Sequence, residues 1–217
     1  MNILKYCLLV FLGAFPVAAQ ESLHQGSVSY AITSGDGEDG ELDTDVDTTA
    51  FEGEYFVSDK VSLKLGLLDH EIQYDFYLDN ELCQTDKLEL GATFHSSRVD
   101  VLAGTGAGYS VGVRTSDAST DCKSDIPEVQ TSTPDETNEY FDFTYGRGLG
   151  NGLSFEAYLS TNVDDLFDDR AIGLGLIQTF GSNFGLSGTY VTTETAEDDY
   201  GFTQDSTVFR ISASYYF

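Results

Sequence analysis

Along the last nine residues every second side chain is apolar: Phe209, Ile211, Ala213, Tyr215 and Phe217 alternate with Arg210, Ser212, Ser214 and Tyr216, of which the first three are polar. Period-two alternation gives a strand one greasy face and one wetter face. The pattern recurs in nine earlier segments, 26–33, 48–56, 61–74, 87–95, 99–114, 140–145, 153–160, 170–180 and 184–193. Nothing beyond residues 1–19 has helical spacing. Ten short alternating segments in 217 residues restrict the chain to an all-β fold, either a sandwich or a closed barrel.

The connections alternate in kind. One set is tight, at 58–60, 96–97, 148–152 and 181–183, and is built of Gly, Asn, Ser, Asp and Lys, with the turn formers prominent. The other set is longer and acidic, at 34–47, 75–86, 115–139, 161–169 and 194–205. Short turns on one rim and long loops on the other characterise transmembrane barrels. Five long loops and four short turns predict ten strands, with eight as the fallback if the first hairpin is misread. A sandwich would blunt its terminal strand with charge or proline, whereas this one ends long and aromatic, which is safe only if it pairs with the first strand. Within 99–114, Gly104, Gly106, Gly108, Ser110 and Gly112 fall on one face, leaving room in a narrow lumen for side chains from opposite strands.

The start of the chain predicts export. Lys5 precedes an apolar run at 7–15, too short to span a bilayer, and Val17-Ala18-Ala19 offers small residues for cleavage before Gln20. The expected domains are a signal peptide at 1–19 and a barrel at 20–217. Removing 1–19 takes away Lys5 and no acid, leaving nine Lys and Arg against 37 Asp and Glu, a net of −28. Aromatics fall at two levels. Phe94, Tyr145, Phe180, Phe184, Tyr215 and Phe217 lie near the short turns, and Tyr74, Phe76, Tyr77, Tyr140 and Tyr190 near the long loops, as expected of two interfacial girdles.

The signal peptide, the alternating strands, the hairpin Glu54-Tyr55-Phe56-Val57-Ser58-Asp59-Lys60-Val61-Ser62-Leu63 and the terminal Phe217 together resemble small bacterial outer-membrane barrels of the OmpA/opacity-protein type. The resemblance covers the chain from residue 20 onward by pattern alone and brings no catalytic motif. It implies an antiparallel up-and-down barrel in a bacterial outer membrane; the expected lack of a periplasmic peptidoglycan-binding domain departs from the OmpA pattern. It also implies a monomer, surrounded by outer-membrane lipid and lipopolysaccharide and inserted by the barrel-assembly machinery through the strand ending in Phe217.

The charges bear on function. The five long segments hold 27 of the 37 acids and one cation, Lys123. So negative a surface excludes nucleic acid as a partner. It suits either a solvated face or loose capture of calcium or magnesium, for which Asp36, Asp39, Asp43, Asp45 and Asp47 are the candidate ligands. Asp43-Thr44-Asp45-Val46-Asp47 begins like a calcium loop with Glu54 at the twelfth place, but Thr48 stands where the turn glycine is needed. No other cofactor is expected. Cys83 and Cys122 are the cysteines beyond the signal peptide, in neighbouring long segments, and an oxidising compartment predicts a disulfide between them. On the inward phase lie Glu52, Glu54, Lys64, Glu89, Asp142, Glu156 and Arg210, and charges in a narrow lumen must pair. Glu52, Glu54, Lys64, Glu156 and Arg210 are the expected luminal ion pairs.

The chain is therefore expected to have a non-catalytic structural or surface-interaction role. A narrow, cation-preferring channel is the alternative, opening through the same luminal pairs. The third reading is a hydrolase at the loop rim. It would need His70 with an acid from a neighbouring strand, because Asp69 and His70 face opposite sides and no nucleophile-elbow motif is present.

Overall fold

A computed structural model describes residues 24–39, 42–75, 80–124, 130–132, 136–163, 170–194 and 204–217. The expected signal peptide lies outside the described residues. Eleven strands follow in order: β1 (Gly26–Asp39), β2 (Leu42–Ser58), β3 (Val61–Asp75), β4 (Asn80–His95), β5 (Ala107–Ser124), β6 (Gln130–Ser132), β7 (Glu136–Gly150), β8 (Leu153–Asn162), β9 (Arg170–Phe180), β10 (Phe184–Glu194) and β11 (Gln204–Tyr216). Ten of them pair antiparallel around a closed up-and-down barrel, and β6 is a three-residue flap on β5.

Closure rests on the two ends of the chain. β1 pairs with β11 from Ser27↔Tyr216 to Asp39↔Gln204. Beyond Tyr216 the backbones of Gly26 and Phe217 exchange hydrogen bonds at 3.0 and 3.1 Å. With no free edge, every strand satisfies its backbone inside the sheet, as a bilayer demands.

Alternation decides the two faces. Outside, Phe184 is 62% and Val113 60% exposed, with Tyr30, Ile32, Leu63, Leu90, Leu174 and Ile211 among many others. A surface this apolar has no partner within the chain, and lipid is the solvent it fits. Inside, the buried residues are mainly small and polar, including Ser62, Thr93, Ser110, Ser116, Ser154, Ser160, Thr179 and Ser212. The lower girdle is present, since Phe94, Tyr145, Phe180, Phe184 and Tyr215 all face outward. In the upper set Tyr190 faces out, but Tyr140 turns inward beneath Arg114, whose guanidinium carbon is 4.3 Å from the ring centroid.

Three sequence expectations are corrected. First, the acidic segments are largely strand: β1 runs on to Asp39, β2 starts at Leu42, β4 at Asn80 and β7 at Glu136. Alternation need not involve apolar residues once a strand leaves the lipid, so the apolar pattern ends before the ladder does. Second, the turn at 148–152 contracts to Asn151-Gly152, both with positive φ (54° and 73°), as a two-residue hairpin requires. Third, the fifth strand begins at Ala107, not Val99, and residues 96–106 form a folded loop in place of a tight turn. Gly104 and Gly106 have φ of 67° and 83°, a region open to glycine but not to a strand. They are therefore not part of a glycine row on β5.

Candidate functional site

The interior of the barrel is built in three levels. The lowest is the 96–106 loop. It folds up against the inward faces of β5 and β7 and against the β7–β8 turn, where Gly108, Gly146, Gly148 and Gly152 leave room for its backbone. A Cβ at Gly146 would come 2.9 Å from Val99 Cγ2, and one at Gly104 2.7 Å from the Leu153 carbonyl. Backbone hydrogen bonds tie the loop to the wall, from Gly148 N to Gly106 O (2.8 Å), Gly150 N to Gly104 O (2.7 Å) and Gly152 N to Ala103 O (3.1 Å). Thr179 Oγ1, on β9, lies 3.1 Å from the carbonyl oxygens of Val101, Leu102 and Gly152. Asp100 shapes the loop internally by accepting from Ala103 N at 3.0 Å.

Arg98 carries the loop across the barrel floor. Its guanidinium donates to the His24 carbonyl and stacks 3.4 Å over the Phe56 ring. His24 in turn meets Phe56 and Tyr216 edge-on at 5.5 and 5.1 Å. Burial pushes the His24 imidazole down to about 4, and the neighbouring Arg98 charge adds to the shift.

Charge fills the middle level. Arg210 on β11 reaches across β1 to Glu52 on β2, with Ser29 Oγ donating to the same carboxylate at 3.4 Å. Arg114 on β5 binds Glu89 on β4 and Asp142 on β7, the latter at 3.3 Å, and donates to Ser160 Oγ at 3.1 Å. Ser160 Oγ donates on to Asp142 at 2.6 Å. Lys64 stands directly opposite Glu54 in the β2–β3 ladder, and Glu156 faces inward between Gly146 and Gly175. Of the expected luminal set, the structure joins Glu52 to Arg210. It sets Glu54 beside Lys64 without an ion pair between them among the described residues, and leaves Glu156 facing the lumen. Lys64 points inward yet is exposed, so water-sized space reaches this level.

Lys87 and Arg114 are luminal as well, opposite Leu68 and Gly91. Sequence reading passed over both, although the phase that placed Glu89 inward also places Lys87, and the phase of Gly112 places Arg114. Above this level Val46, Val191 and Val208 form a small apolar cluster with Tyr158 and Ala171.

The other candidate residues fall elsewhere. Asp36, Asp45 and Asp47 lie on the outer wall, on paired strands; Asp36 faces Asp45, and Asp47 faces Glu71 on β3. With Gln73 they border a cleft of about 310 Å³. The side chains of Asp39 and Asp43 lie outside the described residues. Because residues 42–58 form one strand, they cannot wrap an ion as a calcium loop does. Cys83 and Cys122 are joined by a disulfide and sit directly opposite each other on β4 and β5. The bond clamps two paired strands, not two loops as their place in the sequence suggested. Glu81 lies beside the two sulfurs, but bonded sulfurs are not free ligands.

His70 Nδ1 pairs with Thr48 Oγ1 at 2.6 Å, not with an acid. A Ser–His–acid grouping does occur at the floor, unforeseen from the sequence. Ser62 Oγ donates to Glu54 at 2.6 Å and lies 2.8 Å from His95 Nε2. Ser62 is completely buried, and Glu54 lies on the serine side of the ring, 3.8 Å from the same His95 Nε2 that faces Ser62, rather than at the nitrogen from which an acid would orient the histidine.

A closed barrel with a lipid-facing belt and a polar, charged interior is a transmembrane β-barrel of the kind found in bacterial outer membranes. Its location is the outer membrane. No family model and no curated protein matches the sequence. Solved structures resemble it weakly. The translocator domain of the autotransporter NalP from Neisseria meningitidis superposes with a TM-score of 0.45 at 11% identity, covering 100% of this chain and 95% of that one. Ail, the attachment invasion locus protein of Yersinia pestis, gives 0.44 at 10% over 90% and 100%. The outer membrane protein OprG from Pseudomonas aeruginosa gives 0.44 at 10% over 92% and 99%.

Proposed function

We propose that this chain is a non-catalytic surface barrel whose acidic outer wall takes calcium or magnesium loosely and thereby binds the anionic lipopolysaccharide around it. The observation that carries the reading is the cross-strand arrangement of the carboxylates. Asp36 stands directly opposite Asp45, and Asp47 opposite Glu71, on three adjacent strands above the apolar belt. None of the ion pairs among the described residues involves them. Like charges directly opposed in a sheet cost up to about 1 kcal/mol per pair, and a shared divalent cation reverses that cost. The hydrogen bonding of His70 to Thr48 and the complete burial of Ser62 support a non-catalytic role.

Thermal unfolding of the refolded barrel, followed by its heat-modifiable gel mobility, tests this. Relief of about 1 kcal/mol is worth roughly 2–4 °C in a chain of this size, so millimolar calcium or magnesium is expected to raise the midpoint by that amount. The variant combining Asp45→Asn with Asp47→Asn is expected to start from a higher midpoint without cation and to lose the response. A wild-type midpoint that does not move up to 10 mM, a concentration well above loose-site affinities of about 1 mM, removes the cation reading.

A further inference from the structure

The loop at 96–106 closes a barrel that is wet above it. Lys64 points into the lumen, lies beside Glu54 and remains exposed, so the charged middle level holds water-sized space. That space ends below at the loop backbone, which rests mainly on glycines of β5, β7 and the β7–β8 turn. Its attachments are few: backbone bonds to the end of β7 and the β7–β8 turn, the Thr179 hydroxyl, and Arg98, which donates to the His24 carbonyl and lies over Phe56. The β4–β5 pairing does not need the loop. β4 and β5 pair directly down to His95↔Ser110, and Ser96 N still bonds Tyr109 O at 2.9 Å. The β4–β5 ladder is therefore complete without the loop, whose backbone lies across one mouth and accepts from the last N–H groups of β7 and its turn.

We propose that residues 96–106 are a displaceable plug, and that the protein has a further activity as a gated, narrow, cation-preferring conduit. When Thr179 and Arg98 release the loop, the floor opens into the lumen at Glu54 and Lys64. Among the described luminal residues the acids Glu52, Glu54, Glu89, Asp142 and Glu156 outnumber the bases Lys64, Lys87, Arg114 and Arg210. Small cations therefore pass in preference to anions. This activity does not depend on cation capture by the outer wall.

Single-channel recording in planar bilayers with potassium chloride gradients tests it. Wild-type barrel is expected to show rare, brief openings. A variant with residues 97–108 replaced by Asn-Gly, which turns from Ser96 straight to Tyr109 and so also removes the first two rungs of β5, Ala107 and Gly108, is expected to conduct steadily with a cation-selective reversal potential. Thr179→Val, which keeps the side chain's shape and removes its hydroxyl, is expected to raise the open time about tenfold. A heat-modifiable, disulfide-intact loop variant that conducts no more than wild type overturns the proposal, as does wild type that is already steadily open. If the loop variant fails to refold, Thr179→Val decides alone, and an unchanged open time overturns the plug.

Discussion

His24 is wedged between Phe56 and Tyr216, and its Nδ1 has no hydrogen-bond partner among the described residues. Burial, then the Arg98 charge, holds its imidazole at about 4 against an ordinary value near 6.5. The unfolded chain therefore takes up a proton more readily than the folded one. This contribution to stability is complete above about pH 6.5 and is lost as pH falls toward 4, with nothing further lost below that. The shift corresponds to roughly 3 kcal/mol. Urea midpoints at pH 7.5 and pH 5 are expected to differ less in a His24→Gln variant than in wild type; an equal drop in both would assign the acid sensitivity elsewhere. From the sequence His24 was no more than a residue near the mature terminus, because nothing local reveals that Arg98 comes back to cover it 74 positions later. The luminal charges were legible to the extent that phase was followed. Alternation turned Glu52, Glu54, Lys64, Glu89, Asp142, Glu156 and Arg210 inward, and the same rule extended by one residue would have added Lys87 and Arg114. Which charge pairs with which depends on neighbours around the ring, and the alternation of one strand does not contain that.

Strand count and turn polarity were legible because the hydrophobic period and the turn residues report the same ladder. Where lipid ends, the apolar half of the signal ends too. Asp36, Asp45 and Asp47 accordingly read as loop although their backbones remain paired. The 96–106 loop failed for the opposite reason. Val99, Val101, Ala103 and Thr105 keep the strand period by coincidence, and the contradicting signals were glycine at 104 and 106 and Asp100 placed to bond Ala103 N. The disulfide belongs to the same element level. Cys83 and Cys122 close a span of 39 residues across the β4–β5 ladder. Loop-closure entropy for that span gives up to about 4 kcal/mol. The double variant Cys83→Ser, Cys122→Ser is expected to lower the urea midpoint with little change in denaturant slope and to abolish the effect of reductant on the heat-modifiable band. A midpoint equal to that of the oxidised wild type would show that the adjacent ladder already orders these strands in the unfolded ensemble.

From floor to top the barrel stacks a backbone plug, a charged layer and an apolar cluster, none of them assembled from fewer than three strands. Such a lumen replaces the core that a soluble fold would bury, because the apolar side chains are committed to the outer wall. The charged layer must therefore hold the wall in shape, and Arg114 shows how. It ties β4 to β7 across β5 by binding Glu89 and Asp142, and through Ser160 it reaches β8. Removing it leaves two carboxylates facing each other over one strand with their shared cation gone. Breaking a fully buried pair costs about 3–5 kcal/mol; the water-sized space beside Lys64 screens this site, so roughly 1–3 kcal/mol is the expected loss for Arg114→Met. Neutralising the orphaned acids with Glu89→Gln and Asp142→Asn in the same chain is expected to restore most of it, since a neutral layer no longer repels itself. Equilibrium unfolding in urea of the single and triple variants separates the two sources of stability. A triple variant as unstable as Arg114→Met alone would mean that the guanidinium acts by packing over Tyr140, and that the wall takes its shape from packing rather than from charge.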